Sequence, residues 1–77
     1  MLDRIEGKRI AFLATDGVEQ IELTRPWKAV QDAGGTPELV SLDSGTIRGY
    51  DHLDAADEFS VDKTVSEADP EDYDGLV

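Results

Sequence analysis

Lys8-Arg-Ile-Ala-Phe-Leu-Ala-Thr-Asp-Gly-Val-Glu-Gln-Ile-Glu-Leu23 decides the fold, because its hydrophobic period changes midway. Ile10, Phe12, Leu13 and Ala14 follow one another almost without interruption, as in a strand covered on both faces. Lys8 to Ala14 is therefore predicted as a strand. Asp16-Gly17 ends it, glycine supplying the backbone freedom of a tight turn. Beyond Val18, Leu23, Trp27, Val30 and Gly34 fall on one helical stripe flanked by Ala29 and Ala33, and Gly34-Gly35 supplies a stop.

Pro26 interrupts this stripe and removes the amide that would bond to the carbonyl of Glu22. The spacing predicts a short turn carrying Glu19 to Glu22, then a main helix from near Thr24 with proline in its first turn. Such a break would hold Glu22 beside the carboxyl end of the strand. Thr36 to Leu42 reads as a second strand, so strand, helix and strand form a βαβ unit with parallel strands. Thr46 to Tyr50 and Glu58 to Val61 read as short edge strands, and Ala68 to Tyr73 as a turn or one helical turn. Gly75-Leu-Val77 reads as the start of another apolar strand. The expectation is that residues 1–77 are the amino-terminal portion of a larger α/β domain.

Composition narrows the function classes. At 77 residues the chain supports one domain at most, or part of one, and it contains no cysteine for a disulfide, thiolate metal site or nucleophile. Its longest apolar run, Ile10 to Ala14, is far short of a membrane span or a secretory segment. A cytoplasmic protein without membrane partners is expected. Residues 1–50 hold eight acids against six bases, whereas residues 51–77 hold ten acids against Lys63 alone. That balance opposes phosphate-backbone binding, so no nucleic-acid partner is expected. The acids of the second segment read as a solvated face, and an acidic tail for basic partners is disfavoured by the interleaved Phe59, Val61 and Val65.

The turn after the first strand is where doubly wound folds place ligands. Thr15-Asp-Gly-Val-Glu19 is neither a dinucleotide fingerprint nor a phosphate loop, and acids there repel phosphate. Glu19 and Glu22 can simply stabilise a helix start by roughly 0.3–1 kcal/mol each. Alternatively, one can hydrogen-bond a nucleophile and tune its protonation. Ser41, Ser44, Ser60 and Ser66 lack a nucleophile elbow, so this chain supplies no convincing partner. His52 is the single histidine, a poor basis for a metal site, and reads first as a loop residue. Tyr50 and Trp27 read as packing residues.

The order Arg9-Ile-Ala-Phe-Leu-Ala-Thr-Asp-Gly-Val-Glu-Gln-Ile-Glu-Leu-Thr-Arg-Pro-Trp-Lys-Ala29, followed by Ala-Gly-Gly and Leu-Val-Ser-Leu, resembles the amino-terminal half of the ThiJ/PfpI family. Gly49-Tyr-Asp-His-Leu-Asp54, Asp57-Glu-Phe-Ser-Val-Asp-Lys63 and Glu67-Ala-Asp-Pro-Glu-Asp-Tyr-Asp-Gly-Leu-Val77 resemble its PfpI-like intracellular protease branch. The resemblance implies a flavodoxin-like, doubly wound α/β sandwich related to class I glutamine amidotransferases. It also implies a nucleophilic cysteine on a strand-to-helix elbow. In the family, a Leu-Pro-Gly-Gly segment and that cysteine follow the strand corresponding to Gly75-Leu-Val77. Members are described as intracellular peptidases, deglycases or glyoxalases, and stress-response proteins, often with the active site near a subunit interface.

By this resemblance Glu22 matches the glutamate that hydrogen-bonds the cysteine. Glu19 matches an acid common in the motif with a less defined role, and His52 matches a histidine frequent in the branch. The resulting expectation is the amino-terminal part of a cysteine-dependent hydrolase, using no cofactor or metal, partnered by the remaining half of the domain and forming a homo-oligomer. The 77-residue chain alone is expected to be inactive and to fold poorly. A non-catalytic stress-response holdase or binding module of the same fold is the alternative. A signalling receiver could cite Asp16 after the first strand, but lacks the paired acids there.

Overall fold

The computed structural model describes residues 6–77. Its elements are β1 (Arg9–Leu13), β2 (Val18–Glu19), α1 (Gln20–Asp32), β3 (Thr36–Ser41), β4 (Thr46–Asp51), β5 (Asp54–Ser60), β6 (Lys63–Thr64), a 3-10 turn (Pro70–Asp72) and β7 (Gly75–Leu76). β6, β3, β1 and β7 lie in that order in an all-parallel sheet. A smaller sheet of β2, β4 and β5 joins a parallel pair to an antiparallel hairpin. The expected α/β architecture, with β1, α1 and β3 as its βαβ unit, is what the structure contains. The sequence-based exclusion of a secretory segment falls partly on residues 1–5, outside the described residues.

The period change at Val18 explains the packing. Phe12 and Leu39, neighbours across the β1–β3 ladder, face the same side and meet Leu23 of α1 and Ile47 of β4 in the core. Phe12 and Leu39 are each 2% exposed, and burying side chains of this size contributes about 1.5–3 kcal/mol apiece. Trp27 closes the cluster with its ring centroid 5.2 Å from that of Phe12. Gly34, at φ 91°, ends α1 in a left-handed cap: its amide donates to Gln31 O and that of Gly35 to Val30 O.

Two sequence expectations need correction. Pro26 does not divide the helix; α1 runs from Gln20 to Asp32 with proline inside it. Packing of Leu23 before the proline and Trp27 after it outweighs the missing amide, so local propensity yields to the core. The two expected edge strands are longer than read and pair with each other as a hairpin, and β2 and β6, two residues each, went unpredicted. Segments that short leave no periodic signal.

Away from α1 the parallel sheet is only partly covered: Ala11 and Val40 are buried, whereas Leu13 and Leu76 are exposed. Ala11, Leu13 and Val40 point away from α1 and, with Val65, Pro70, Tyr73 and Leu76, line an open, largely apolar groove of about 400 Å³. At the groove's other end, by the start of β1, Arg9 donates to Glu38 through Nε and Nη2, and the Tyr73 hydroxyl donates to Glu38 Oε1 at 2.9 Å. Arg9 also sits over the Tyr73 ring, 5.2 Å from its centroid. Burial pushes the Glu38 carboxyl up, but hydrogen bonds from Arg9 and Tyr73 outweigh it and hold it below the usual carboxylate value. The Arg9 guanidinium is correspondingly raised by its bond to Glu38, and burial, followed by the bond to Glu38, raises the Tyr73 phenol.

Candidate active site

Strand order fixes where a site belongs. From β1 the chain crosses to β3 on one flank, and later returns to place β7 on the other. The carboxyl end of β1 is thus a switch point, and ligands of open α/β sheets bind in the crevice outside it. Residues 14–22 leave β1 there and enter α1.

The structure separates the two glutamates. Glu19 is the N-cap residue of α1, yet its side chain caps no helix amide. Its carboxylate instead accepts from the His52 amide, at 3.1 Å to Oε1 and 3.2 Å to Oε2. Glu22, in the first turn of the helix, is exposed and makes no hydrogen bond or ion pair with any described residue. Its neighbour Leu23 is 5% exposed and anchors that turn in the core. One acid is therefore tied to the fold, and the other is exposed on the first turn of α1 without a partner among the described residues.

His52 sits at the tip of the β4–β5 hairpin with φ 57°, a left-handed turn backbone uncommon for a residue other than glycine. Residues 16–20 fasten the hairpin to the helix start. Asp16 Oδ1 accepts from Arg48 N at 2.7 Å, Gly17 N donates to Arg48 O at 3.1 Å, and β2 pairs with Gly49 and Tyr50. Gln20 completes the clasp, donating to Asp57 Oδ2 at 3.0 Å and accepting from Asp57 N at 2.9 Å. Sequence reasoning missed Asp16, Gln20 and Gly49 as clasp residues. The available signal was a glycine inside the Thr46 to Tyr50 strand, which marks a bulge or a close backbone approach.

Glu19 and His52 are brought together, whereas nothing joins either of them to Glu22. Glu19, Asp51 and His52 hold ligand-type atoms within 4.8 Å of one another, but Asp51 and His52 are exposed and the Glu19 carboxylate already accepts from the backbone. Tyr50 lines the cleft of about 590 Å³ beside these residues, together with Gln20, Ile21, Thr24 and Ala56. Trp27 packs on the core as expected. Ser41 is buried, Ser44, Ser60 and Ser66 are exposed, and no histidine stands beside any of them as a base.

An α/β chain with a parallel sheet and a carboxylate at the switch point is the frame in which the motif residues now stand. The sequence model of the DJ-1/PfpI family matches residues 8–77, and the chain belongs to that family. It is similar to "Putative cysteine protease YraA" of Bacillus subtilis (strain 168), 36% identical over 71 residues that make up 92% of this chain and 40% of that protein. It is also similar to "Uncharacterized protein SH1084" of Staphylococcus haemolyticus, 33% identical over 70 residues, 91% of this chain and 39% of that one. The chain thus spans about two fifths of the length of these relatives. Among the described residues no helix is long and apolar enough to cross a membrane.

Proposed function

We propose that the chain is the amino-terminal part of a PfpI-type cysteine-dependent hydrolase of the peptidase or deglycase kind, in which Glu22 positions and tunes a thiol supplied by the remainder of the domain. The observation that carries this reading is the contrast at the helix start: Glu19 is committed to the His52 amide, whereas Glu22 is exposed and without a partner among the described residues. A carboxyl beside a thiol can hydrogen-bond it and bias its ionisation, and thiolate character sets cysteine reactivity. The partner, on this reading, is the carboxy-terminal portion corresponding to the rest of the relatives' length. The open groove with exposed Leu13, Val65 and Leu76 supports it, since a parallel sheet is ordinarily covered on both faces. Assembly into homo-oligomers and a cytoplasmic setting belong to the same proposal.

The test is a chimera in which residues 8–77 replace the matching stretch of YraA. Peptide hydrolysis should appear and be abolished by iodoacetamide. Glu22→Ala should lower kcat about a hundredfold or more, within the range for a positioned acid or base. Hydrolysis by the chimera that survives both treatments refutes the reading.

A further inference from the structure

β7 has two residues, too few to fix its own alignment on β1. Its apolar pattern gives no help: Leu76 and Val77 are consecutive, so a slip of one residue exchanges one apolar side chain for another on each face. Register has to come from neighbouring groups, and Tyr73-Asp74-Gly75 meets three sets of them. The Tyr73 hydroxyl reaches over β1 to Glu38 of β3, donating to Oε1 at 2.9 Å, while its ring lies 5.2 Å from the Arg9 guanidinium carbon. Asp74 is fastened to Arg9 twice: its amide donates to Arg9 O at 2.8 Å, and Arg9 N donates to Asp74 Oδ2 at 2.9 Å. Gly75 pairs with Ile10, whose Cδ1 stands 3.0 Å from where a Cβ would lie. A slip of one residue therefore sets the side chain of Asp74 or Leu76 against that methyl group.

We infer that Tyr73-Asp74-Gly75 is a register lock: it sets the alignment of β7 on β1 and thereby fixes where the chain emerges at the switch point. The other end of the same alignment lies there. Leu13 N donates to Val77 O at 3.0 Å and Val77 N donates to Ala11 O at 2.9 Å, so Val77 leaves the sheet beside the last residue of β1. A slip of one residue displaces that exit by about 3.3 Å, and misplacement by about 1 Å at a reacting centre already costs about a hundredfold in rate. For its catalytic consequence the inference rests on the thiol reading above, in which the nucleophile belongs to the remainder of the domain. Tyr73 and Asp74 are then positioning residues for that site, acting from the opposite end of β1, roughly 13 Å away.

The experiment uses the YraA chimera with isotope-labelled isoleucine methyl groups. The NOE between the Ile10 δ1 methyl and the Gly75 α-protons reports register, and kcat for peptide hydrolysis reports the site. Tyr73→Phe combined with Asp74→Ala removes both side-chain hydrogen bonds while keeping the ring beside Arg9. It should weaken the NOE about fivefold or more and lower kcat in proportion, with KM changed by less than about twofold. Tyr73→Phe alone should give an intermediate loss of both, and it decides the matter where the double variant does not fold. Asp74→Asn keeps an acceptor oxygen for Arg9 N and should retain both signals. Val30→Ala, which removes packing from the core side of α1, should lower the urea midpoint and leave the NOE and kcat in place. An NOE undiminished in the variants lacking the Tyr73 hydroxyl, a lost NOE with unchanged kcat, or a Val30→Ala loss of kcat matching that of the double variant each overturns the inference. Hydrolysis insensitive to iodoacetamide strikes the thiol reading instead, and the methyl contact, read without turnover, still decides the register lock.

Discussion

Gly49→Ala tests the attachment of the hairpin to the helix start. Gly49 lies at a register irregularity between Arg48 and Tyr50, where β4 is paired with β2 on one side and β5 on the other. A Cβ there would stand 2.9 Å from Phe59 Cε2, 3.0 Å from Gln20 Oε1 and 3.2 Å from Gln20 Cβ. Phe59 packs against the core cluster and would have to shift its ring toward the cavity it borders with Leu23 and Trp27. Gln20 Cβ is tied to the first residue of α1, and its amide group can move only by losing both bonds to Asp57. Overpacking of this kind costs about 1–3 kcal/mol. Measured by urea denaturation of the YraA chimera, with a slope near 2 kcal/mol per molar, the midpoint should fall by about 0.5–1.5 M at unchanged slope. Asp57 should also lose amide protection. An unaltered midpoint with the Asp57 amide still protected would show that Gly49 is not a close-approach position.

Other outcomes follow from the same geometry. Pro26→Ala restores a donor to the Glu22 carbonyl; the helix-interior penalty of about 3 kcal/mol, offset by the freer unfolded chain and the lost ring contacts, gives a net gain of about 1–2 kcal/mol in urea denaturation. Glu19→Ala should expose the His52 amide to rapid exchange, whereas Glu19→Gln, which keeps an acceptor oxygen, should preserve most of its protection. Glu38 is held below the ordinary carboxylate value when folded, so its contribution is complete above the unfolded pKa of about 4.3 and disappears as pH falls through the lower folded value. Denaturation midpoints of the wild-type sequence should thus drop on acidification below that pH, and Glu38→Gln should flatten the drop.

What the sequence revealed and what it hid have physical causes. β1 is a nearly continuous apolar run, β3 carries Leu39 and Val40 between glycine-bounded turns, and Leu23, Trp27 and Val30 repeat with the helix period, so burial itself wrote them into the chain. Pro26 misled because its cost is local, whereas the compensating contacts of Phe12 with Trp27 come from residues distant in sequence. β2 and β6 are held by pairing with β4 and β3, and no two-residue segment can advertise a partner. At the candidate site, periodicity left Glu19 and Glu22 equivalent, as two acids at a helix start. The hairpin resolved them, because the amide that occupies Glu19 belongs to His52, 33 residues further along the chain. The family resemblance is what favours Glu22 over Glu19.

The account rests on Glu22 governing a thiol, so the most direct measurement is the pH dependence of iodoacetamide alkylation at the nucleophilic cysteine of the YraA chimera, with Glu22 and with Glu22→Gln. The account predicts a clear displacement of that profile by Glu22→Gln and none by Glu19→Gln. Superimposable profiles for Glu22 and Glu22→Gln would contradict it.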